Sequence, residues 1–271
     1  MSRRRLSPII GVFLIGFGCG QGYEVKKRDR DVEEATRAIE GARSDADRAR
    51  AYDTRGRAYA EKARYSGVFK LIPPAEYARV FELALKDHAQ AIALAPTNAE
   101  VYLGRGLTYY WRGTLEDAAA PGTKVFWDAA TADFTKALER DPRNAQAIDM
   151  RGLVRTTVGD HDGAIADFTR EMEVDASLGR SRLADAYCRR AGVLHMAKKA
   201  EPAIADYEKS MELGGNSDAC ECQPENPLVT LYTEKGDYDR SWDVVRRAGA
   251  AHRFIAPDVL EPLVKASGRK Q

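Results

Sequence analysis

Three cysteines carry the most reactive side chains in the body of this 271-residue chain: Cys188, Cys220 and Cys222. Thiols so placed can close a disulfide or hold a soft metal. A bridge from Cys188 to Cys220 or Cys222 would leave one thiol over. The metal alternative would add His195 to the three cysteines, but one residue between Cys220 and Cys222 is tighter than the usual zinc spacing. No other constellation points to catalysis. The chain has no Gly-x-Ser-x-Gly, no His-Glu-x-x-His and no phosphate-binding glycine loop. Its four histidines are scattered, and its carboxylates alternate with Lys and Arg as on solvated helix faces. We therefore expect no enzyme, no catalytic residue, no metal and no cofactor.

The elements that must position these residues are helical by composition. Apolar residues make up 44% of the chain and charged residues 31%, with 11 prolines, which suits amphipathic helices better than a β-sandwich. Formal net charge is +1. Without residues 1–18, which hold three arginines and no acid, it is −2, from 39 basic and 41 acidic residues. Nothing in that balance calls for nucleic acid as a ligand.

The amino terminus reads as a targeting segment. Arg3, Arg4 and Arg5 precede the apolar run 9–18, and Cys19 follows between Gly18 and Gly20. A basic head, a short apolar core and small residues at its end describe a signal peptide over residues 1–18. Cys19 resembles the lipidated cysteine of bacterial lipoproteins, although Gly16 stands where that family usually has leucine. The resemblance implies export to the cell envelope and a lipid anchor at Cys19; ordinary cleavage or a retained anchor are the alternatives. Residues 19–30 are polar and read as a flexible tether.

From residue 31 the chain repeats itself. The segments around Gly56, Gly106, Gly152 and Ala191 each set a large apolar residue and an arginine before a small residue. Downstream, Ala84 with His88, Ala130 with Phe134, Ala164 with Phe168 and Ala203 with Tyr207 form a second recurring block. The interval from small residue to alanine is 12 in the third and fourth copies, and from alanine to the next small residue it is 22 at 84–106 and 130–152. Their sum, 34, is the period of the tetratricopeptide repeat (TPR), whose pattern of small residues, aromatics and closing prolines this chain resembles.

The resemblance implies an all-α chain, a right-handed α-solenoid of TPR helix pairs over residues 31–250. A half-repeat cap at 31–48 leads into repeats at about 49–98, 99–144, 145–178, 184–217 and 222–250. A C-terminal helix and tail occupy 251–271. On that layout a bridge from Cys188 would tie the last pair to the stack.

One covariation inside the chain supports the register. The arginine before each small residue (Arg55, Arg105, Arg151, Arg190) is accompanied by Asp87, Asp133, Asp167 or Asp206, and the fifth copy replaces both members, with Leu228 and Val244. A paired, partly buried charge behaves so, because orphaning one partner costs several kcal/mol.

Two departures from a plain stack bear on function. The first two pairs carry 16 and 12 extra residues between their helices, including Tyr65, Val68, Phe69, Leu71, Ile72, Pro73 and Pro74, then Pro121, Gly122, Val125, Phe126 and Trp127. Such segments either bind something or bury each other as a lid. The inner faces of the first helices present Leu103, Leu107, Tyr110, Trp111, Leu153, Thr156, Cys188, His195 and Met196. This is an apolar groove suited to a protein or peptide partner, unless those side chains belong to the core. TPR resemblance implies protein binding. The Lys and Asn set that grips a terminal carboxylate in chaperone-binding TPRs is absent. A self-associating structural solenoid is the remaining alternative.

Overall fold

A computed structural model describes residues 8–116, 122–214 and 223–269, the side chains of 8–23, 177 and 178 excepted. The described residues form helices and connecting turns without a strand, and divide into two compact units, residues 1–147 and 148–271. The first holds α1 (Pro8–Glu40), α2 (Asp45–Val68), α3 (Pro74–Leu94), α4 (Ala99–Leu115), α5 (Thr123–Arg140) and the start of α6 (Ala145–Val158). The second holds the rest of α6, α7 (His161–Val174), α8 (Ala176–Met196), α9 (Ala200–Glu212), α10 (Glu225–Glu234), α11 (Tyr238–Ala250) and α12 (Pro257–Ser267). Helices pair in sequence order, α2 with α3, α4 with α5, α8 with α9 and α10 with α11.

Local chemistry sets the helix starts. The side chains of Ser44, Asn98, Asp160 and Asp237 accept hydrogen bonds from the first turns of α2, α4, α7 and α11. Each such cap stabilises its helix by about 1 kcal/mol. Pro74 opens α3, where its missing N–H costs nothing.

Within pairs, a ring presses on a missing Cβ. A methyl added at Gly106 would lie 2.7 Å from Phe134, and one at Gly152 would lie 2.5 Å from Phe168. His88 takes the aromatic's place against Gly56 and is fully buried. Ala84, Ala130, Ala164 and Ala203 are buried one turn before these rings. Seven residues after each alanine, two turns further on the same face, the chain buries Ala91, Ala137, Glu171 and Ser210. Both ends of the chain carry covers. Ala35 of α1 is buried in the first unit, and in the second Leu263 of α12 joins the core around Tyr232 and Trp242.

The charge pairing inferred from covariation is formed in four helix pairs, each time through two hydrogen bonds. Arg55 donates to Asp87 at 2.7 and 2.8 Å, Arg105 to Asp133 at 2.7 and 2.7 Å, Arg151 to Asp167 at 3.0 and 2.6 Å, and Arg190 to Asp206 at 2.7 and 2.8 Å. Leu228 and Val244 are buried in the core of the fifth pair.

Three features differ from the sequence reading. Residues 19–30, read from sequence as a tether, lie within α1, and near their end Asp29 accepts from Lys62 at 2.5 Å and the Arg28 guanidinium stacks 4.5 Å from the Tyr65 ring. The first insertion, and the described part of the second, lengthens the helices; Pro121 lies outside the described residues. With 24 and 21 residues, α2 and α3 exceed the 14 residues each of α6 and α7, and α4 and α5 have 17 and 18. Finally, α8 begins at Ala176, before the expected start of its repeat. It crowds α7, since a Cβ on Gly179 would lie 2.5 Å from the backbone nitrogen of Met172.

Candidate partner-binding surface

In the first unit, the groove residues face inward more than their spacing implied. Leu103 and Leu107 are 1% and 5% exposed, so they are core and not contact residues. The reason lies in the glycines beside them. Gly104 lets α4 approach α2 until a Cβ there would sit 2.4 Å from the Asp53 carboxylate, and Gly106 does the same towards Phe134. Tyr110 and Trp111 are half-buried. Tyr110 meets Trp127 edge-on at 5.8 Å, while Trp111 packs on the α2–α3 core of Ala60, Ala63, Tyr77, Phe81 and Ala84, under the Arg64 guanidinium at 5.2 Å. Here Trp127 of the second insertion lies against the groove residue Tyr110.

Beside them runs a polar network that the sequence reading missed. Arg57 donates to Asp53 at 2.8 Å and to the Glu100 carboxylate at 3.1 Å, and Asp53 also meets His88 Nδ1 at 3.1 Å. Asn144 donates to the other Glu100 oxygen at 3.1 Å. The four-residue spacing of Asp53 and Arg57 was its only local signal.

In the second unit, Leu153 packs against the cluster of Ala164, Phe168 and Leu183. The Thr156 hydroxyl donates to the Gly152 carbonyl of its own helix at 3.0 Å. His195 is half-buried, whereas Met196 is 88% exposed and nearby Val193 is 54% exposed. A concavity of about 560 Å³ lies alongside, lined by His161, Arg190, Val193, Leu194, Pro202 and Ala205 among others. Burial pushes the His161 imidazole pKa down, with the nearby Arg189 charge adding to it. Arg190 is occupied by Asp206 and by Asp162 at 2.6 Å. Asp160, Asp162 and Asp206 also line the concavity and outnumber Arg190, so its apolar part is the stretch of Val193, Leu194, Pro202 and Ala205, which can take an apolar side chain.

Glu171 is the most unusual group of this unit. It is fully buried, and neither carboxylate oxygen has a hydrogen-bond partner among the described residues. Burial, and then the neighbouring Asp149 charge, push its pKa up to about 7. Arg182 pairs instead with Asp149, at 3.1 Å.

Cys188 is fully buried and disulfide-bonded. A bonded cysteine is no thiolate ligand, which removes it from the metal set considered above. Cys220 and Cys222 lie outside the described residues, and Cys19 falls within α1 where side chains are not described. Among the described residues, no group of three or more His, Cys, Asp or Glu is placed to hold a metal ion.

No protein-family model matches the chain, and no curated protein does. Solved structures resemble it. YrrB, described as a TPR protein with an unusual peptide-binding site, aligns with 88% of this chain and 100% of its own at 18% identity, TM-score 0.47. A thermophilic TPR protein of Thermus thermophilus aligns with 73% of this chain and 88% of its own at 22% identity, TM-score 0.43. PilF of Pseudomonas aeruginosa aligns with 79% of this chain and 86% of its own at 17% identity, TM-score 0.42. The likeness is one of fold. The helix pairs and the small-on-aromatic packing described above are those of an all-α, TPR-like repeat protein.

Proposed function

We propose that this chain is a non-catalytic scaffold of the cell envelope, anchored through Cys19, that binds an apolar segment of a protein or peptide partner. The observation that carries the reading is the last turn of α8, where Val193 and Met196 stand exposed next to a concavity of about 560 Å³ with an apolar stretch of Val193, Leu194, Pro202 and Ala205 in its lining. Apolar side chains held out on a rigid helix beside a hollow are the elements of a docking site for an amphipathic helix or extended peptide. The repeat architecture supports this, because the arginines that could have gripped an anion are paired within their own helix pairs. Of the groove residues read from sequence, Tyr110, Trp111, Leu153, Thr156, His195 and Met196 keep accessible surface. The envelope anchor rests on the basic and apolar amino terminus ending at Cys19.

The test is crosslinking and capture from intact envelopes, comparing wild type with Val193→Asp/Met196→Asp. Both side chains are exposed, so melting should be unchanged while a specific partner disappears. The same partners captured by both proteins would remove this surface from consideration. Capture only of the chain's own copies would favour a self-associating solenoid.

A further inference from the structure

We propose that the α2–α3 turn and the first turn of α5 beside it rest in the membrane–water interface, so that the first unit touches lipid as well as being tethered to it. This rests on the anchored reading above and adds a contact surface to it.

Apolar side chains gather at this end. Val68, Phe69 and Leu71, where α2 gives way to α3, are 53%, 42% and 39% exposed, and Val125 in the first turn of α5 is 64% exposed. They share one end of the unit, since Gly67 abuts Leu115 at the close of α4 and the Tyr77 hydroxyl donates to the Leu115 carbonyl at 3.4 Å. Ile72, Pro73 and Pro74 continue the surface into a hollow of about 530 Å³.

The register of α1 says what covers this end. Arg55 donates to Thr36 at 3.3 Å, Lys62 to Asp29 at 2.5 Å, and Arg28 stacks on Tyr65 at 4.5 Å. As α2 advances towards its tip, α1 therefore runs back towards its amino terminus. Phe69, one turn past Tyr65 and 4.6 Å from it ring to ring, lies level with about residue 24 of α1. Cys19 is five residues beyond that level, roughly 7.5 Å along the helix. The headgroup layer is about 5–8 Å deep on each side of a bilayer. A lipid on Cys19, or the apolar run 9–18 dipping into the bilayer, would set the tip at the headgroup boundary in either case. No helix of the described residues is long and apolar enough to cross a membrane, so the anchor does not draw the tip through.

The backbone of the turn is prepared for a poorly hydrated site. The amide groups of Phe69, Lys70 and Leu71 donate to the carbonyls of Tyr65, Gly67 and Ser66 at 3.1, 3.1 and 2.8 Å, and Pro73 and Pro74 have no amide hydrogen. Few donors therefore lose hydration on insertion. Lys26, Lys27 and Lys70 are exposed at this level. The nearby acids Glu24 and Asp128 are paired with Arg28 at 2.6 Å and Lys124 at 2.6 Å, which among the described residues leaves the exposed Glu76 and the half-buried Glu116 as counter-charges. Each such lysine contributes about 1 kcal/mol of attraction to an anionic surface. Lysines around an apolar tip fit a lipid surface better than a second copy, which would bring the same charges face to face.

The experiment places the photo-crosslinking residue benzoylphenylalanine at Phe69 or, as control, at Thr97 in the turn at the opposite end of the same helix pair. The membrane-purified full chain is reconstituted into vesicles of phosphatidylethanolamine and phosphatidylglycerol, floated on a density gradient and irradiated. Lipid adducts should be about tenfold more abundant at position 69 than at 97. Floating protein with equal adducts at both positions overturns the tip contact and leaves the anchor standing. Protein that fails to float overturns the anchor and the tip contact together. Adducts from position 69 to another copy of the chain overturn it in favour of self-association.

Discussion

Arg105 of α4 and Asp133 of α5 face each other through two parallel hydrogen bonds, Nε to Oδ2 at 2.7 Å and Nη2 to Oδ1 at 2.7 Å. The carboxylate is 3% exposed, and its hydrogen bonds raise the arginine above its usual pKa range. The same clamp recurs in three more pairs, while the fifth buries Leu228 and Val244 in the core instead. Arg105→Leu alone should therefore destabilise the chain by about 3 kcal/mol, because it strands a buried carboxylate. The double substitution Arg105→Leu/Asp133→Val should recover most of that loss. Urea unfolding of the two singles and the double provides the cycle; a double variant as unstable as the sum of the singles would show that the clamp is not a coupled unit.

Glu171 predicts how stability depends on pH. Its folded-state pKa, about 7, lies above the ordinary 4.5 because burial and the Asp149 charge disfavour the carboxylate. The folded state thus binds the proton more tightly than the unfolded chain. Its contribution is complete below about pH 4.5, falls as pH rises towards 7 and is lost above that. The groups facing it are Asp149 and Arg182, with Asp167 and Asp175 further contributors. Stability should fall by roughly 2–3 kcal/mol across that window, since each tenfold difference in proton affinity is worth about 1.4 kcal/mol. Glu171→Gln should flatten this slope. Parallel pH profiles for wild type and variant would rule out Glu171 as the source.

Much of this was legible because the chain repeats and each copy checks the others. The clamps could be read because Arg and Asp disappear together in the fifth copy, and His88 could be read as a core ring because it stands where Phe134 and Phe168 stand. Glu171 carried the same kind of signal, standing seven residues after Ala164 where Ala91 and Ala137 follow their own alanines. The insertions were less legible. Residues 65–74 mix aromatics, prolines and glycine without helical periodicity, yet α2 runs to Val68 because Ala60, Ala63 and Ser66 bury one continuous face. The groove was over-read for a related reason. Spacing places Leu103 and Leu107 on one face of α4, but the depth of burial depends on how closely Gly104 and Gly106 let the neighbours approach.

Cys188 makes its own prediction. As half of a disulfide in a fully buried position, it should be inaccessible to thiol reagents until the chain is reduced and unfolded. Cys188→Ala should release its partner, adding one titratable thiol under denaturing, non-reducing conditions. Peptide mapping would then show which cysteine was freed. Stability should fall by about 2–4 kcal/mol as the cross-link on the unfolded chain is lost. A thiol count that falls by one, as it must if Cys188 is itself a free thiol, would exclude the bridge.

Trp111 separates packing from binding. The side chain closes over the α2–α3 core, beneath Arg64 and beside Leu115, so it supports the first unit whatever else it touches. Trp111→Ala should destabilise the chain by about 2 kcal/mol, less than for a fully buried ring because this one is only half-buried. Tyr110→Ala should also destabilise the chain, since it removes the edge-on contact with Trp127, a class of pair worth about 1 kcal/mol. Thermal melting of the two variants decides the matter. Unchanged melting for Trp111→Ala would return the ring to the partner-binding groove, whereas the expected drop means that any loss of partner capture in that variant must be compared with an equally destabilised control such as Phe134→Leu.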